Sequence, residues 1–254
     1  YVVQSKIVDQ IDTEQEKKST VAVSILPKNI AEEYIALTEN LGLKPVALDK
    51  NDNSIYKLLN DSFMNNGDSE YTNSTVAIVD IGFTSTNITI IENGAFRFSR
   101  IVDSGGRDVD MNIANSYNLS LEESEQRKLN LKNITQMEMP TQNLGVPEME
   151  VAATSLEASE NMIKEAVAGA LAEMCKNMET VFRYYTSRSS QNTIDYIYIY
   201  GATSKMEGID RYIENTFNTR TFKINRLTNV RLGRKQRDAD ISLYANAIGA
   251  IIRK

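Results

Sequence analysis

The sequence contains no histidine. That absence excludes Ser-His-Asp and Cys-His catalysis and every histidine metal site at once. There is a single cysteine, Cys175, so neither a disulfide within the chain nor a cysteine-built zinc site can form. Cys175 sits among apolar residues at helical spacing and reads as a small core residue. Any metal must then be a hard ion held by oxygen. Long apolar runs are missing too: none approaches the ~20 residues that span a bilayer, and no signal peptide opens the chain. A cytoplasmic protein is expected. Positive charge is in deficit, with 28 Lys and Arg against 34 Asp and Glu and a net charge of −6. This balance argues against a nucleic-acid binder, which needs a basic face. Basic residues gather only at Arg226, Arg231, Arg234, Lys235 and Arg237, which read as a solvated loop, with anion or membrane contact as the alternative.

What is present is ordinary for a globular protein: 254 residues, 41% hydrophobic and 24% charged, long enough for two packed units or one large one. The chain begins at Tyr1, already inside a strand-like run, and a fragment of a longer protein is expected. Alternation of apolar and polar residues predicts strands over Tyr1–Ile11 and Ser19–Leu26, the second closed by Pro27. Helical spacing follows over Asn29–Leu41 with Gly42 at the stop, then a short strand over Leu43–Leu48, then a helix over Asp49–Met64 with Ile55, Leu58 and Leu59 inward. Asn65–Ser74 reads as a linker or turn. The near-continuous apolar run Thr75–Ile81 predicts a central strand, followed by Asn87–Ile91 and, after an Asn93-Gly94 hairpin signal, Ala95–Val102. Strands joined this tightly must be antiparallel neighbours.

Helices are expected over Asp108–Asn115 and Ser120–Leu131, the latter opened by a Ser120/Glu123 capping box. Asn133–Met149 shows no period and reads as loop. Ser155–Arg188 carries Ile163, Val167, Leu171, Met174, Met178, Val181, Phe182 and Tyr185 at steps of three and four, a long helix with a Met-rich core stripe. The chain closes with a strand at Thr193–Tyr200, a helix at Glu207–Phe217, a strand at Thr221–Asn225 and an apolar helix over Asp238–Ile252.

Three constellations can carry chemistry. In the first, Asp80-Ile81-Gly82-Phe83-Thr84-Ser85-Thr86 lies between two strands. A carboxylate at the end of a buried strand is expensive unless paired, and a hydrated Mg²⁺ would satisfy Asp80. Gly82 permits close backbone approach, and the hydroxyls of Thr84, Ser85 and Thr86 with turn amides make a donor set suited to phosphate. A capped aspartate on a polar hairpin is the plain alternative. In the second, Tyr200-Gly201-Ala202-Thr203-Ser204-Lys205-Met206 runs a strand through small residues into a helix, a corner that favours anions but is common to many crossovers. In the third, Glu125 and Lys128 stand three apart on the capped helix, where an ordinary ion-paired surface is the alternative.

Taken in order, these pieces are similar to the second half of an actin, heat-shock chaperone or sugar-kinase chain. The hairpin at Asp80–Thr86 resembles that superfamily's second phosphate loop, Gly201–Thr203 its adenosine loop, and Glu125 with Lys128 the pair framing ribose and base. More narrowly, Ile25-Leu26-Pro27-Lys28 with Gly42-Leu43-Lys44-Pro45-Val46-Ala47-Leu48-Asp49 resembles the PilM family of type IV pilus assembly proteins. So do Phe98-Ser99-Arg100-Ile101 with Gly105-Gly106-Arg107-Asp108, the Glu122–Lys128 helix, and the closing Tyr244-Ala245-Asn246-Ala247-Ile248-Gly249-Ala250. Two departures accompany the likeness. The family's first phosphate loop is absent and should lie upstream of Tyr1, and Gly201-Ala202-Thr203 stands where a diglycine is usual.

The resemblance implies an actin-like, ribonuclease-H-like α/β fold of two lobes. Residues 1–74 would complete the first lobe, including an inserted small α/β subdomain of the type in FtsA and PilM. Residues 75–254 would form the second lobe, with a helical insertion at about 106–180. It implies ATP and Mg²⁺ as ligands, with Asp80 on the metal and Asp80, Gly82, Thr84, Ser85, Thr86, Gly105, Gly106, Glu125, Lys128, Gly201, Ala202, Thr203 and Met206 around the nucleotide. The implied role is a scaffold at the inner face of the cytoplasmic membrane, docking the cytoplasmic N-terminal tail of a PilN-like membrane protein, with the pilus motor ATPase and self-association as further implied partners. Hydrolysis is expected to be weak or absent. The alternatives are an FtsA-like division filament protein, a sugar or acetate kinase using Asp103 as base, and a scaffold that has lost its nucleotide. The end of the sequence at Arg253-Lys254, directly after the closing helix, weighs against the FtsA reading, since FtsA carries a further membrane helix.

Overall fold

The computed structural model describes residues 1–12, 17–64, 73–131, 134, 155–225, 227, 229–236 and 240–252. The expected loop over Asn133–Met149 lies almost wholly outside them, as does most of the linker at Asn65–Ser74.

Strands β1 (Val2–Asp12) and β2 (Lys17–Leu26) pair antiparallel as a two-stranded ribbon. Its register sets Val3 opposite Ile25 and Ile7 opposite Val21, so these β-branched residues share one face with Val23. That face is open to solvent: all five are about half exposed or more. The other face, with Ala22, Ser24 and Leu26 half-buried, lies towards the rest of the chain, where Lys6 stands over the Tyr56 ring. Pro27 stops the ribbon and α1 (Lys28–Asn40) follows. The strand expected over Leu43–Leu48 does not form. Pro45 has no amide to donate, no neighbouring strand is offered among the described residues, and Leu43 and Val46 are exposed. Then α2 (Asn51–Met64) buries Ile55, Leu58 and Leu59.

A five-stranded sheet of order β5-β4-β3-β6-β7 forms the centre. β3 (Thr75–Ile81), β4 (Thr86–Glu92) and β5 (Ala95–Val102) are antiparallel neighbours, while β6 (Tyr196–Tyr200) lies parallel to β3 and β7 (Arg220–Lys223) parallel to β6. Asn93 and Gly94 both take positive φ, at 52° and 75°, as a type I′ hairpin turn requires.

Side-chain alternation divides the core between the two faces of the sheet. Ala77, Val79 and Ile81 of β3 point to one face, covered by α3 (Gly106–Tyr117), α5 (Ser155–Thr186) and α6 (Ile209–Phe217), with α4 (Leu121–Asn130) beside α3. Val76 and Ile78 point to the other face, covered by α2 and the closing helix α7 (Ala245–Ile251). A strand covered on both sides has no polar face, which is why Thr75–Ile81 reads as a continuous apolar run. On α5, about 50 Å long, Val167, Leu171, Met174 and Met178 are fully buried in the stripe that the sequence predicts. Cys175 is buried with them, and burial pushes its thiol up to about 12. The expected closing helix over Asp238–Ile252 is shorter than predicted. Asp240 caps a 3₁₀ turn at Ile241–Tyr244 by accepting from the Ser242 amide at 2.9 Å, and α7 starts after it.

Candidate functional site

Parallel strands β3 and β6 end side by side, Asp80 opposite Tyr200, and the loops that leave them meet there. Ligand sites of open α/β sheets form outside the carboxyl ends of strands, where connections diverge. β3 leaves antiparallel into β4 and β6 leaves into α6, so this edge is such a point.

Asp80 is the partly buried charge at its centre. Its Oδ2 accepts from Asn246 Nδ2 at 2.8 Å, and Asn246 Oδ1 accepts from the Tyr200 hydroxyl at 2.8 Å. α7 and β6 thus fix the carboxylate through one amide. Burial raises the Asp80 carboxyl above the usual range, with hydrogen bonding from Asn246 and Tyr200 pulling against it. Burial, then the charge of Asp80, drives the Tyr200 hydroxyl well up. Gly201 follows at φ 93°, and a Cβ there would stand 2.4 Å from Asp80 Oδ1 and 2.7 Å from the Ile81 carbonyl. Only glycine fits that conformation in that space.

The hairpin is tightly built. The Gly82 amide donates to the Ser85 carbonyl at 3.0 Å. Thr84 is exposed and Ser85 half-buried at the tip, whereas Thr86 is fully buried and its hydroxyl donates to the Ser104 carbonyl at 2.7 Å. Of the three hydroxyls expected to face phosphate, that of Thr86 is turned into the protein. The Gly105-Gly106 turn packs directly on the hairpin: the Gly106 and Arg107 amides donate to the Gly82 and Phe83 carbonyls at 3.0 and 2.8 Å. These are first-turn amides of α3, so the donors that a helix N-terminus would offer an anion are here engaged by the hairpin.

The turn after β6 reaches the same place. Thr203, buried, donates its hydroxyl to the Gly82 carbonyl at 2.8 Å, and Ser204 donates back to the Gly201 carbonyl at 2.7 Å. Ala202 is exposed, and Met206 is buried in the core, its carbonyl accepting from Lys223 at 2.8 Å. The Ser120/Glu123 capping box forms as predicted and orients α4. Its two candidate residues part company: Glu125 is exposed, while Lys128 is 6% exposed and turned inward. Lys128 Nζ lies between the two oxygens of buried Asp110, at 2.7 and 2.8 Å, and 3.4 Å from the Gly106 carbonyl. Burial raises the Asp110 carboxyl, opposed by Lys128. Asp103, the candidate kinase base, is exposed at the end of β5.

The structure therefore gathers Asp80, Gly82, Gly105, Gly106, Lys128, Gly201 and Thr203 in one network and leaves Glu125, Ala202 and Thr84 at its surface. Sequence reasoning gave no site role to Asp110 or Asn246, and it read Tyr200 only as the strand end of the second constellation, not as a partner of Asn246. Asn246 lies within the closing-helix pattern but has no local feature that marks it as a partner of Asp80, 166 positions away.

Does this corner suit Mg²⁺? No group of three acidic, histidine or cysteine side chains that could hold a metal occurs among the described residues. Asp80 would be its carboxylate, and across the sheet from it the buried Oδ1 of Asn87 has no hydrogen-bond partner. One carboxylate and one orphaned amide oxygen fit an ion that keeps most of its waters and takes phosphate oxygens.

A family model described as type IV pilus assembly protein PilM matches residues 6–133, and one described as cell division protein FtsA matches residues 77–249. Among solved structures, the PilM-PilN type IV pilus biogenesis complex aligns over 98% of this chain and 65% of the other, at 18% identity and TM-score 0.72. The ethanolamine utilization protein EutJ from Carboxydothermus hydrogenoformans aligns over 89% and 61%, at 18% identity and TM-score 0.57. MreB 5 of Spiroplasma citri bound to AMPPNP aligns over 89% and 64%, at 17% identity and TM-score 0.51. At such identities the likeness establishes a common actin-like fold. The chain spans less than two thirds of the length of each of these three structures.

Proposed function

Because the chain belongs to the PilM family within the FtsA- and actin-like fold, we propose that it is a nucleotide-gated scaffold of the type IV pilus inner-membrane platform, docking the cytoplasmic tail of a PilN-like protein. The observation that carries the nucleotide half is Asp80. It is a carboxylate costly to bury, fixed by Asn246, set beside the orphaned oxygen of Asn87 and beneath a hairpin whose exposed tip carries Thr84. Neighbouring structures of the same fold are described as bound to AMPPNP or ADP, which supports ATP as the ligand. In this reading residues 1–74 belong to the first lobe and residues 75–254 form the second.

Asp80 and Asn87 would hold the Mg²⁺ that accompanies ATP, and that ion would supply charge neutralisation at the phosphates. The chain's own residues do the rest. Asn246 and Tyr200 keep the Asp80 carboxylate oriented, Gly201 leaves it room, and the exposed hairpin tip carries the Thr84 hydroxyl. Asn246 lies on α7, which packs on α2, so a change at Asp80 is passed to the helices behind the sheet. ATP would thereby bias the relation of the lobes and so the affinity for the partner tail, a population shift and not a metabolic reaction. Asp80, the buried carboxylate at the hairpin, is engaged by Asn246, so weak turnover at most is expected.

The partner half rests on family membership and on a PilM-PilN complex that aligns with nearly the whole chain. No helix among the described residues is long and apolar enough to cross a membrane, so membrane recruitment would come through the partner. The test is binding of a PilN-like tail peptide to the full-length protein, with and without Mg·ATP. Nucleotide-dependent affinity is expected, and absence of tail binding in both states removes the scaffold reading.

A further inference from the structure

We propose that Asp110, Lys128 and Thr203 form a buried clamp that fixes the phosphate-type hairpin against the turn after β6, and that they act on bound nucleotide through this backbone without touching it. The resemblance placed Lys128 and Thr203 at the ribose and base. Their geometry points elsewhere. The Gly82 carbonyl accepts from both the Gly106 amide, at 3.0 Å, and the Thr203 hydroxyl, at 2.8 Å, which uses both of its lone pairs. Thr203 is 6% exposed and spends its only donor there. A Cβ on Gly106 would lie 2.4 Å from the Thr203 hydroxyl and 3.5 Å from Lys128 Nζ, so the turn, the diglycine and the lysine are in mutual contact around one glycine.

Lys128 closes the clamp from below. Its ammonium approaches the Gly106 carbonyl and is held there by Asp110, whose side chain is 2% exposed. Both charges are out of water and paired with each other, Oδ2 accepting the hydrogen bond while the buried Oδ1 makes only the ion-pair approach, and a buried pair of this kind specifies one arrangement of its neighbours. Glu125, on the same helix, is the nearby carboxylate that opposes ionisation of Asp110, and it stays at the surface. The chain of contacts runs Asp110, Lys128, Gly106, Gly82, Thr203. These residues lie on four elements: Asp110 and Gly106 on α3, Lys128 on α4, Gly82 in the hairpin and Thr203 in the turn after β6. Asp110 and Lys128 are thus positioning residues, and the hairpin's place relative to Asp80 depends on them.

The experiment compares wild type with Thr203→Val, Thr203→Ser and Asp110→Asn in the full-length protein, by two independent readouts. The first is hydrogen exchange at the Gly106 and Arg107 amides without nucleotide. This readout does not depend on the nucleotide reading. Thr203→Val and Asp110→Asn should accelerate exchange there about threefold to tenfold, the worth of one hydrogen bond, with Thr203→Ser at wild-type rates. The second readout rests on the nucleotide reading: titration with Mg·ATP and with adenosine. A clamp on the phosphate side weakens Mg·ATP about tenfold in Thr203→Val and leaves adenosine unchanged. Direct contact of Thr203 with the nucleoside would weaken both equally and overturns the proposal. So does unchanged exchange at both amides in the two variants. If wild type binds neither ligand, the nucleotide reading fails and exchange alone decides the clamp.

Discussion

Where α7 crosses α2, a substitution has two competing consequences of opposite sign. Gly249 sits mid-helix, so replacement by alanine should add about 1 kcal/mol of helix propensity. A Cβ there, however, would stand 2.1 Å from the Ser54 carbonyl oxygen, 2.5 Å from its carbon and 3.1 Å from its Cα. Carbon and oxygen in contact need about 3.3 Å, so the helices must separate by about 1.2 Å. All three obstructing atoms are backbone, and no side-chain rotation can relieve them. The core behind the crossing, Ile55, Leu58, Leu59 and Ala245, is fully buried and loses its packing as the helices part. Overpacking costs about 1–3 kcal/mol, and a backbone clash belongs at the upper end. Net destabilisation by about 2 kcal/mol is expected after the propensity gain. With a urea dependence of about 3 kcal/mol per molar, the unfolding midpoint falls by about 0.7 M. Gly169 on α5 supplies the control: its Cβ would meet only the flexible Asn112 side chain, at 3.4 Å. Gly169→Ala should raise the midpoint by at most about 0.3 M, which corresponds to a propensity gain of about 1 kcal/mol. A Gly249→Ala midpoint at or above wild type would refute the close crossing.

Three further outcomes follow from the same geometry. Gly201→Ala must hold positive φ, which costs about 1–2 kcal/mol, and must push on Asp80 and the Ile81 carbonyl as well; urea unfolding should show a loss of at least that size, with nucleotide affinity lost alongside. Asp80 has a folded-state pKa raised by burial, so its contribution to stability is complete below the unfolded carboxyl pKa and is lost as pH rises through the folded value. Asp80→Asn should therefore be more stable than wild type near neutral pH, with the difference shrinking on acidification; a variant less stable at pH 7 contradicts the assignment. Lys57 on α2 is nearly buried and bonds both Asp49 Oδ2 and the Ile252 carbonyl at 2.7 Å, closing the C-terminus of α7. Lys57→Met strands both partners and should cost about 3 kcal/mol in urea unfolding, whereas a loss within experimental error would mean the contacts contribute nothing.

Periodicity made most of the fold legible. β3 and β5 fall on the residues that the apolar run and the Asn93-Gly94 signal mark out, and every stripe residue of α5 is buried. Local signals also placed the capping box on α4. The strand expected at Leu43–Leu48 shows the limit of such signals, since β-propensity without a pairing partner leaves an exposed segment. At the site, the glycines and Asp80 were visible because turn and strand-end chemistry is local. The direction of Lys128 was not. A lysine beside acidic residues reads as surface, and only the tertiary approach of Asp110, 18 positions upstream, turns it inward. The Thr86 hydroxyl was misplaced for the same reason, its partner being a carbonyl contributed by the turn after β5.

The central claim is that the corner around Asp80 binds Mg·ATP. Calorimetric titration of Mg·ATP into the full-length protein, alongside Asp80→Ala, tests it most directly. The account predicts saturable binding by the wild type that Asp80→Ala abolishes while the variant stays folded. Absence of binding by a folded wild type, or equal binding by Asp80→Ala, would contradict it.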